Sequence, residues 1–495
     1  LAFAALAAAP GCARAPERPA GPGRRVAEGE VLSLRPSADG AFLALLRGCT
    51  PVKDRTLPPG TATCELAVVP SAGGEARSIA AGVTTLPHGF GWSGEGHALA
   101  ALAAYAHAAG AGALVAWWGA EPRRLAEGVS FYAFDRPGAR LGYAAGGRLW
   151  VAPVAGGAAA EVAGGEAVTT FEFGAREGIA LLARRSAQAG GDLLAVSGAV
   201  ARPVAPRVQA YAFAPDARRF AFTAGHEQEL RVARAAGGPP TALGREVRDF
   251  AFSPRGDAIA YVKDAAPGRQ GDLWLAAGEA APVRLGARVG ELRWSDDGAR
   301  LAWLQDYDPR SRTGTLASAR PGEKPEVLAP HVSDLDLAGA DAIAFLVHET
   351  AGGYSVDLSL WRAGGAAARK VERGVFGFSF SPDRRWLYYR SGCVREAEAC
   401  DLWRAAVAGS GAPERVAEGV KSFEYAPGRP DRLLVSWARK DRVALDLALW
   451  EGGRLTALDT LVRPGTASFL GRDPRRLAWA VLDPRRQGVW VAEVP

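Results

Sequence analysis

A unit of about 40 residues recurs along nearly the whole chain, and this periodicity limits the possible folds more than any other feature. The clearest copies begin with FAFSPRGDAIAYV (250–262), LRWSDDGARLAWL (292–304), FSFSPDRRWLYYR (378–390) and YAFAPDARRFAFT (211–223). Each holds an aromatic run, a turn rich in Pro, Asp and Gly, and an apolar run. A third run follows, as GDLWLAAG (271–278), CDLWRAAV (400–407), VDLSLWRAGG (356–365) and LDLALWEGG (445–453). A fourth closes the unit, as RRLAEGV (123–129), RKVERGV (369–375) and ERVAEGV (414–420). Valines mark this closing point at 83, 129, 208, 247, 289, 332, 375, 420 and 462, and Ala167 fills the gap in the series. Helical periodicity is nearly absent, and 61 glycines with 33 prolines supply the many turns that such a chain needs.

Four short strands per unit make the chain all-β, with the blade pattern of a β-propeller. One four-stranded sheet has two apolar faces and cannot bury both alone, whereas blades stacked around an axis cover each other. The tryptophans of the third run (Trp150, Trp274, Trp361, Trp403, Trp450 and Trp490) recur at one repeat position and read as packing between blades. The spacing gives about eleven four-stranded blades over 24–495. Rings usually hold four to eight, so two are expected: 24–247 and 248–495, with a break near 208 as the alternative. The last unit stops after VWVAEV (489–494), and the chain begins with an orphan closing run, RRVAEGEV (24–31). This N-terminal strand is therefore expected to complete the last blade.

Residues 1–23 lie outside the repeats. LAFAALAAAPGC (1–12) reads as the end of an export signal, with Cys12 at the position where a bacterial lipoprotein is cleaved and acylated. Methionine is absent even at position 1, which points to a start further upstream. ARAPERPAGPG (13–23) reads as a flexible tether. The four remaining cysteines form two local pairs, Cys49 with Cys64 and Cys393 with Cys400, at matching places in two repeats. Adjacent antiparallel strands bring such positions into bonding range, so two loop-clamping disulfides and an oxidising compartment are expected. This reading places the protein in the periplasm or at the outer membrane, held through its N-terminal lipid, with a soluble periplasmic or secreted form as the alternative.

The repeat resembles the TolB-type, Trp-Asp-repeat-like propellers of bacterial periplasmic proteins. The resemblance is carried by Ser253–Pro254, Ser295–Asp296–Asp297–Gly298, Ser381–Pro382–Asp383, Asp272–Leu273–Trp274 and Asp401–Leu402–Trp403. It implies a propeller with a binding role in the cell envelope. TolB also has an N-terminal α/β domain, which this sequence does not contain, so TolB's own partner does not carry over.

The sequence carries little that points to catalysis. Prolyl oligopeptidases join such a propeller to a hydrolase, but the nearest nucleophile string, GWSGEG (91–96), lacks the second glycine and makes Ser93 a turn residue. His88, His97, His107, His226, His331 and His348 occupy different repeat positions without metal-ligand spacing, and no metal or cofactor is expected. Asp249, Glu291, Asp334, Asp336 and Glu424 lie near inner strands, but nothing selects a catalytic pair. The net charge of +6 is spread along the chain among acids, which argues against a nucleic-acid partner.

What varies between units is the loop joining strands two and three, at 50–63, 105–113, 305–314, 347–356 and 394–399. In a propeller these loops share one face, the usual geometry of a binding surface. Lys53, Arg55, Tyr307, Asp308, Arg310, Arg312, Tyr354 and Arg395 are the candidate contacts. The expected function is a monomeric, non-catalytic scaffold binding a protein or envelope polymer. The alternative is a hydrolase or lyase for peptide or glycan, with its site in a central channel.

Overall fold

The computed structural model describes residues 23–494, apart from 163–166, 169, 175–179, 187–189, 198–199, 235–237, 264–269, 279, 350–355, 366, 395–398, 410 and 440–442. Every regular element among them is a β-strand, and the strands form small antiparallel meanders arranged as in a propeller. One sheet runs Val31–Pro36, Phe42–Pro51, Ala62–Pro70, Arg77–Thr84, each strand pairing with the next. Asp249–Phe252 through Val283–Val289 and Gly377–Phe380 through Glu414–Val420 form four-stranded sheets of the same order.

Three larger sheets contain seven strands each, and in each a long strand is shared by two meanders: Arg123–Phe134, Val200–Phe213 or Glu326–Ala338. The closing valine is where each long strand changes partner. Val129 pairs with Gly112 of one meander and Ala145 of the next; Val208 pairs with Gly191 and Ala224, and Val332 with Gly314 and Val347. The residue before the valine turns the strand by adopting a left-handed conformation: φ is 53° at Arg207, 58° at Glu246, 47° at Arg288, 54° at His331 and 56° at Leu461. Such a conformation is strained for a residue with a Cβ and persists only where surrounding packing enforces it. Here the packing is that of the valine that follows, which is buried in all five units, at 208, 247, 289, 332 and 462. In the weakest unit the buried residue is Val168, not the expected Ala167; Ala167 is the left-handed residue before it, with φ 52°.

The core lies between the meanders. Phe90, Leu99, Ala101 and Trp117 of one pack on Ala44, Leu46, Leu66 and Val68 of the unit before. Leu358, Leu387 and Tyr389 fill the same kind of gap further along. The expected core tryptophans divide into two groups. Trp361 and Trp450 are buried, whereas Trp150, Trp274, Trp403 and Trp490 are half-buried. A cation lies over three of the half-buried rings: Lys263 over Trp274, Arg415 over Trp403 and Arg486 over Trp490. These rings thus cover the rim of the sheets with one face toward charge.

On one side of the arrangement, the turns between strands one and two are built alike. Ser37, Ser295 and Ser381 are buried, and each hydroxyl donates to the aspartate two residues on (Asp39, Asp297, Asp383) at 2.6 Å. The same hydroxyls accept the N–H of Phe42, Arg300 and Trp386, which starts strand two. Neighbouring turns are tied together. Asp39 meets His97 at 2.8 Å, Arg255 donates to the Asp297 carbonyl at 2.6 Å, Arg300 to that of Ala340 at 2.6 Å and Arg432 to that of Pro474 at 3.1 Å. Ser93 is one of these buried turn residues, its hydroxyl donating to the Glu95 carbonyl.

The chain's first described strand does pair with its last. Arg24–Glu28 runs antiparallel to Gly488–Glu493, with Arg24 opposite Val491 and Glu28 opposite Gly488. Val26, Val31 and Leu34 then share a cluster with Ala478, Ala480 and Val489. An edge that would otherwise expose unpaired N–H and C=O groups is closed by residues from the opposite end of the sequence.

Candidate functional site

On the side opposite the stitched turns, strand two ends in a bulge of recurring form. The register breaks between Arg47 and Thr50, Ala103 and Ala106, Gln305 and Asp308, and Ser391 and Val394. In each case one residue is left-handed: Gly48, Ala104, Asp306 and Gly392, with φ between 45° and 61°. The next residue is turned toward the neighbouring strand. In two units it is a cysteine, and the disulfides Cys49–Cys64 and Cys393–Cys400 are formed. In two others it is a tyrosine, Tyr105 or Tyr307.

This equivalence changes the reading of Tyr307. Its ring lies against Gly290, where an added Cβ would come within 2.2 Å of the ring, so Tyr307 packs inward as a counterpart of the cysteines. Asp308 is likewise committed. Its carboxylate accepts the N–H of Arg310 at 2.9 Å and the Ser311 hydroxyl at 3.0 Å, and these bonds hold its pKa below the ordinary value. Lys53, Arg55, Arg310 and Arg312 are exposed at the tips. Asp54 caps the first loop by accepting the Thr56 N–H and hydroxyl at 2.9 and 2.7 Å. Tyr354, Arg395 and Cys12 lie outside the described residues.

The same face carries a cluster that the separate repeat positions of the histidines concealed. His88 Nε2 lies 2.8 Å from the Tyr105 hydroxyl, the Tyr105 ring meets the His107 ring edge-on at 5.0 Å, and His107 Nε2 lies 3.1 Å from the Thr84 hydroxyl. Burial lowers the His88 pKa, and the nearby His107 adds to this. Thr84 and His88 lie on the passage between two units, and Tyr105 and His107 on the two-to-three loop of the second. The repeat topology puts both segments on one face, which is the signal that would have found the cluster. Beside it, between inner strands, opens a cleft of about 570 Å³ lined by His88, Phe90, Trp92, Phe131, Tyr132 and Phe134 among others.

The inner-strand carboxylates do not converge. Asp249 is exposed; Glu291 and Asp334 both face Arg293, at 2.9 and 3.4 Å. Burial pushes Asp336 and Glu424 above the ordinary carboxylate value, opposed by the backbone N–H groups of Leu337 and Phe380 for Asp336 and of Phe469 for Glu424. Phe380 and Phe469 belong to the next unit's inner strand. The carboxylates thus satisfy donors on an edge facing the central space. Among the described residues, no three His, Cys, Asp or Glu side chains are grouped to hold a metal ion.

No family model and no curated protein matches the chain. Among solved structures, similarity extends to a eukaryotic initiation factor, with 14% identity and a TM-score of 0.45 over 71% of this chain and 93% of that one. A prolyl endopeptidase is similar with 14% identity and a TM-score of 0.33; the match covers 58% of this chain and 50% of that chain.

Glu424 gives a pH test. Because folding raises its pKa above the ordinary 4.5, its contribution to stability is complete below that value and is lost as pH rises through the folded value. Glu424→Gln keeps an acceptor for the Phe469 N–H and removes the charge. The variant should be at least as stable as the parent at neutral pH, with a flatter stability profile between pH 4 and neutrality. Urea unfolding across that range checks it; a variant clearly less stable at neutral pH would show that the charge is needed.

Proposed function

We propose that this chain is a non-catalytic, exported binding scaffold of the bacterial cell envelope, of the TolB type, that engages a protein or envelope polymer through its two-to-three loop face. The observation that carries the reading is the recurring bulge, closed twice by a disulfide, behind loops that present Lys53, Arg55, Arg310 and Arg312. Loops held in place before binding lose little entropy on binding, which is what a recognition surface requires. The capped turns at Asp54 and Asp308 support the same reading. Replacing 50–63 and 305–314 with short turns should lower capture of the partner from envelope extract by about tenfold or more. An unchanged set of captured partners would remove the case for this face.

Export is supported by the two disulfides, which persist in oxidising compartments; anchoring is proposed from the sequence around Cys12 alone. The mature N-terminal peptide should begin at Cys12 and carry a diacylglycerol. Mass spectrometry that finds an unmodified terminus downstream of Cys12 rules out the lipid.

We further propose eleven blades in one closed circuit, in place of the two rings drawn from repeat number alone. Support comes from the core clusters, each of which joins a meander to its neighbour in sequence, and from Arg24–Glu28 joining the first meander to the last. Electron micrographs viewed along the axis should show eleven wedges; two separate rings would refute it.

The alternative, an enzyme working in the central channel, would draw on Asp336 and Glu424, the carboxyls that burial raises. Their bonds to neighbouring backbone N–H groups favour a role in holding inner strands together.

A further inference from the structure

We propose that the cleft between the inner strands Gly377–Phe380 and Ser422–Ala426 binds a carboxylate carried beside an apolar group, as at the C-terminus of a peptide, with Arg390 as its anchor. The cleft measures about 290 Å³ and is lined by Gly377, Phe378, Ser379, Arg390, Ser422 and Phe423. It is separate from the loops at 50–63 and 305–314, so the inference stands or falls independently of the loop-face reading.

Arg390 sits on Trp386–Val394, paired opposite Gly377. Gly377 lies beside its guanidinium: an added Cβ would stand 3.6 Å from Nη2, in ordinary contact with it. Within the protein, Nη1 donates to the Lys421 carbonyl at 3.1 Å. No carboxylate among the described residues lies within ion-pair distance of Arg390. Other arginines of the same sheet are paired, Arg404 with Glu414 at 2.6 Å and Arg415 with Asp401 at 3.4 Å. A half-buried guanidinium has a planar fork of donors that matches a carboxylate, and here no described residue claims the remaining donors.

The neighbouring group supplies the apolar half. Phe376 is 70% exposed, the highest value among the large apolar side chains described, and its ring lies 5.4 Å from the Arg390 guanidinium. An exposed ring beside a cation that no described carboxylate pairs, next to a cleft lined in part by Phe378 and Phe423, suits a ligand with an apolar side chain next to its charge. Two hydroxyls in the cleft are already oriented by partners: Ser379 meets the Tyr425 hydroxyl at 3.0 Å, and Ser422 meets that of Ser436 at 2.6 Å. The Cys393–Cys400 bond ties the end of Arg390's strand to the next strand, so the anchor is held before the ligand arrives.

The test is calorimetric titration of the intact protein with N-acetyl-L-phenylalanine, its primary amide, the α-amide of N-acetyl-L-glutamate, and inorganic phosphate. The free acid should bind and the phenylalanine amide about tenfold or more weakly, because the charge is gone. The glutamate derivative separates a C-terminal carboxylate from an acidic side chain, and should also bind more weakly than the free acid. Arg390→Gln should weaken the acid by about 30-fold, and Phe376→Ala, a change at an exposed position, by several-fold. Gly377→Leu should block the cleft. Thermal unfolding of each variant separates lost binding from lost folding. Equal affinity for acid and amide, binding unaffected by Arg390→Gln in a folded variant, a glutamate derivative that binds as well as the free acid, or phosphate binding more tightly than the acid would each overturn the proposal.

Discussion

A four-stranded sheet with apolar side chains on both faces is not stable by itself, and the rest of this structure follows from that. Leu43 and Leu45 face one neighbour while Ala44 and Leu46 face the other, and all four are buried. Strand alternation makes this unavoidable, since successive residues point to opposite faces. Each meander therefore needs a partner on both sides, and a row of such meanders is satisfied at its ends only if it closes. Closure by Arg24–Glu28 against Gly488–Glu493 is the consequence, and it covers a strand edge as well as two apolar faces.

The same demand explains where the chain tolerates strain. At the closing point the backbone must leave the outside of one meander and enter the inside of the next within a residue or two. Burial of a valine there holds residues such as Arg207 and Leu461 in left-handed conformations. Inner strands have a second problem, an edge that faces a central space rather than another strand. Glu424 and Asp336 answer it by accepting N–H groups of the following unit, at the cost of being charged groups in a partly dry place. Burial at that edge is what raises the pKa of both.

The proposed function rests on what the repeat leaves free. The bulge at the end of strand two is common to several units, but its filling differs: a disulfide at Cys49 and Cys393, a tyrosine at Tyr105 and Tyr307. The filling decides which side chains are spent on holding the loop and which remain exposed. Tyr307 and Asp308 belong to the first group, Arg310 and Arg312 to the second. A residue's type in a variable loop does not separate these roles, because both need aromatic and charged side chains.

Much of the fold could be read from the chain before any coordinates. The period of about 40 residues, the alternation within each run, the Ser–Asp turns and the matching cysteines all encode local geometry, and local geometry survives in sequence because it depends on neighbours a few positions apart. The orphan run at Arg24 was legible for the same reason, being a copy of a repeated piece. The candidate sites were not. His88, Tyr105 and His107 meet across two units, and Arg390, opposite Gly377, has no carboxylate within ion-pair distance among the described residues. Such relations are set by the packing of one sheet against another. No periodicity records them, so only the assembled structure could bring them together.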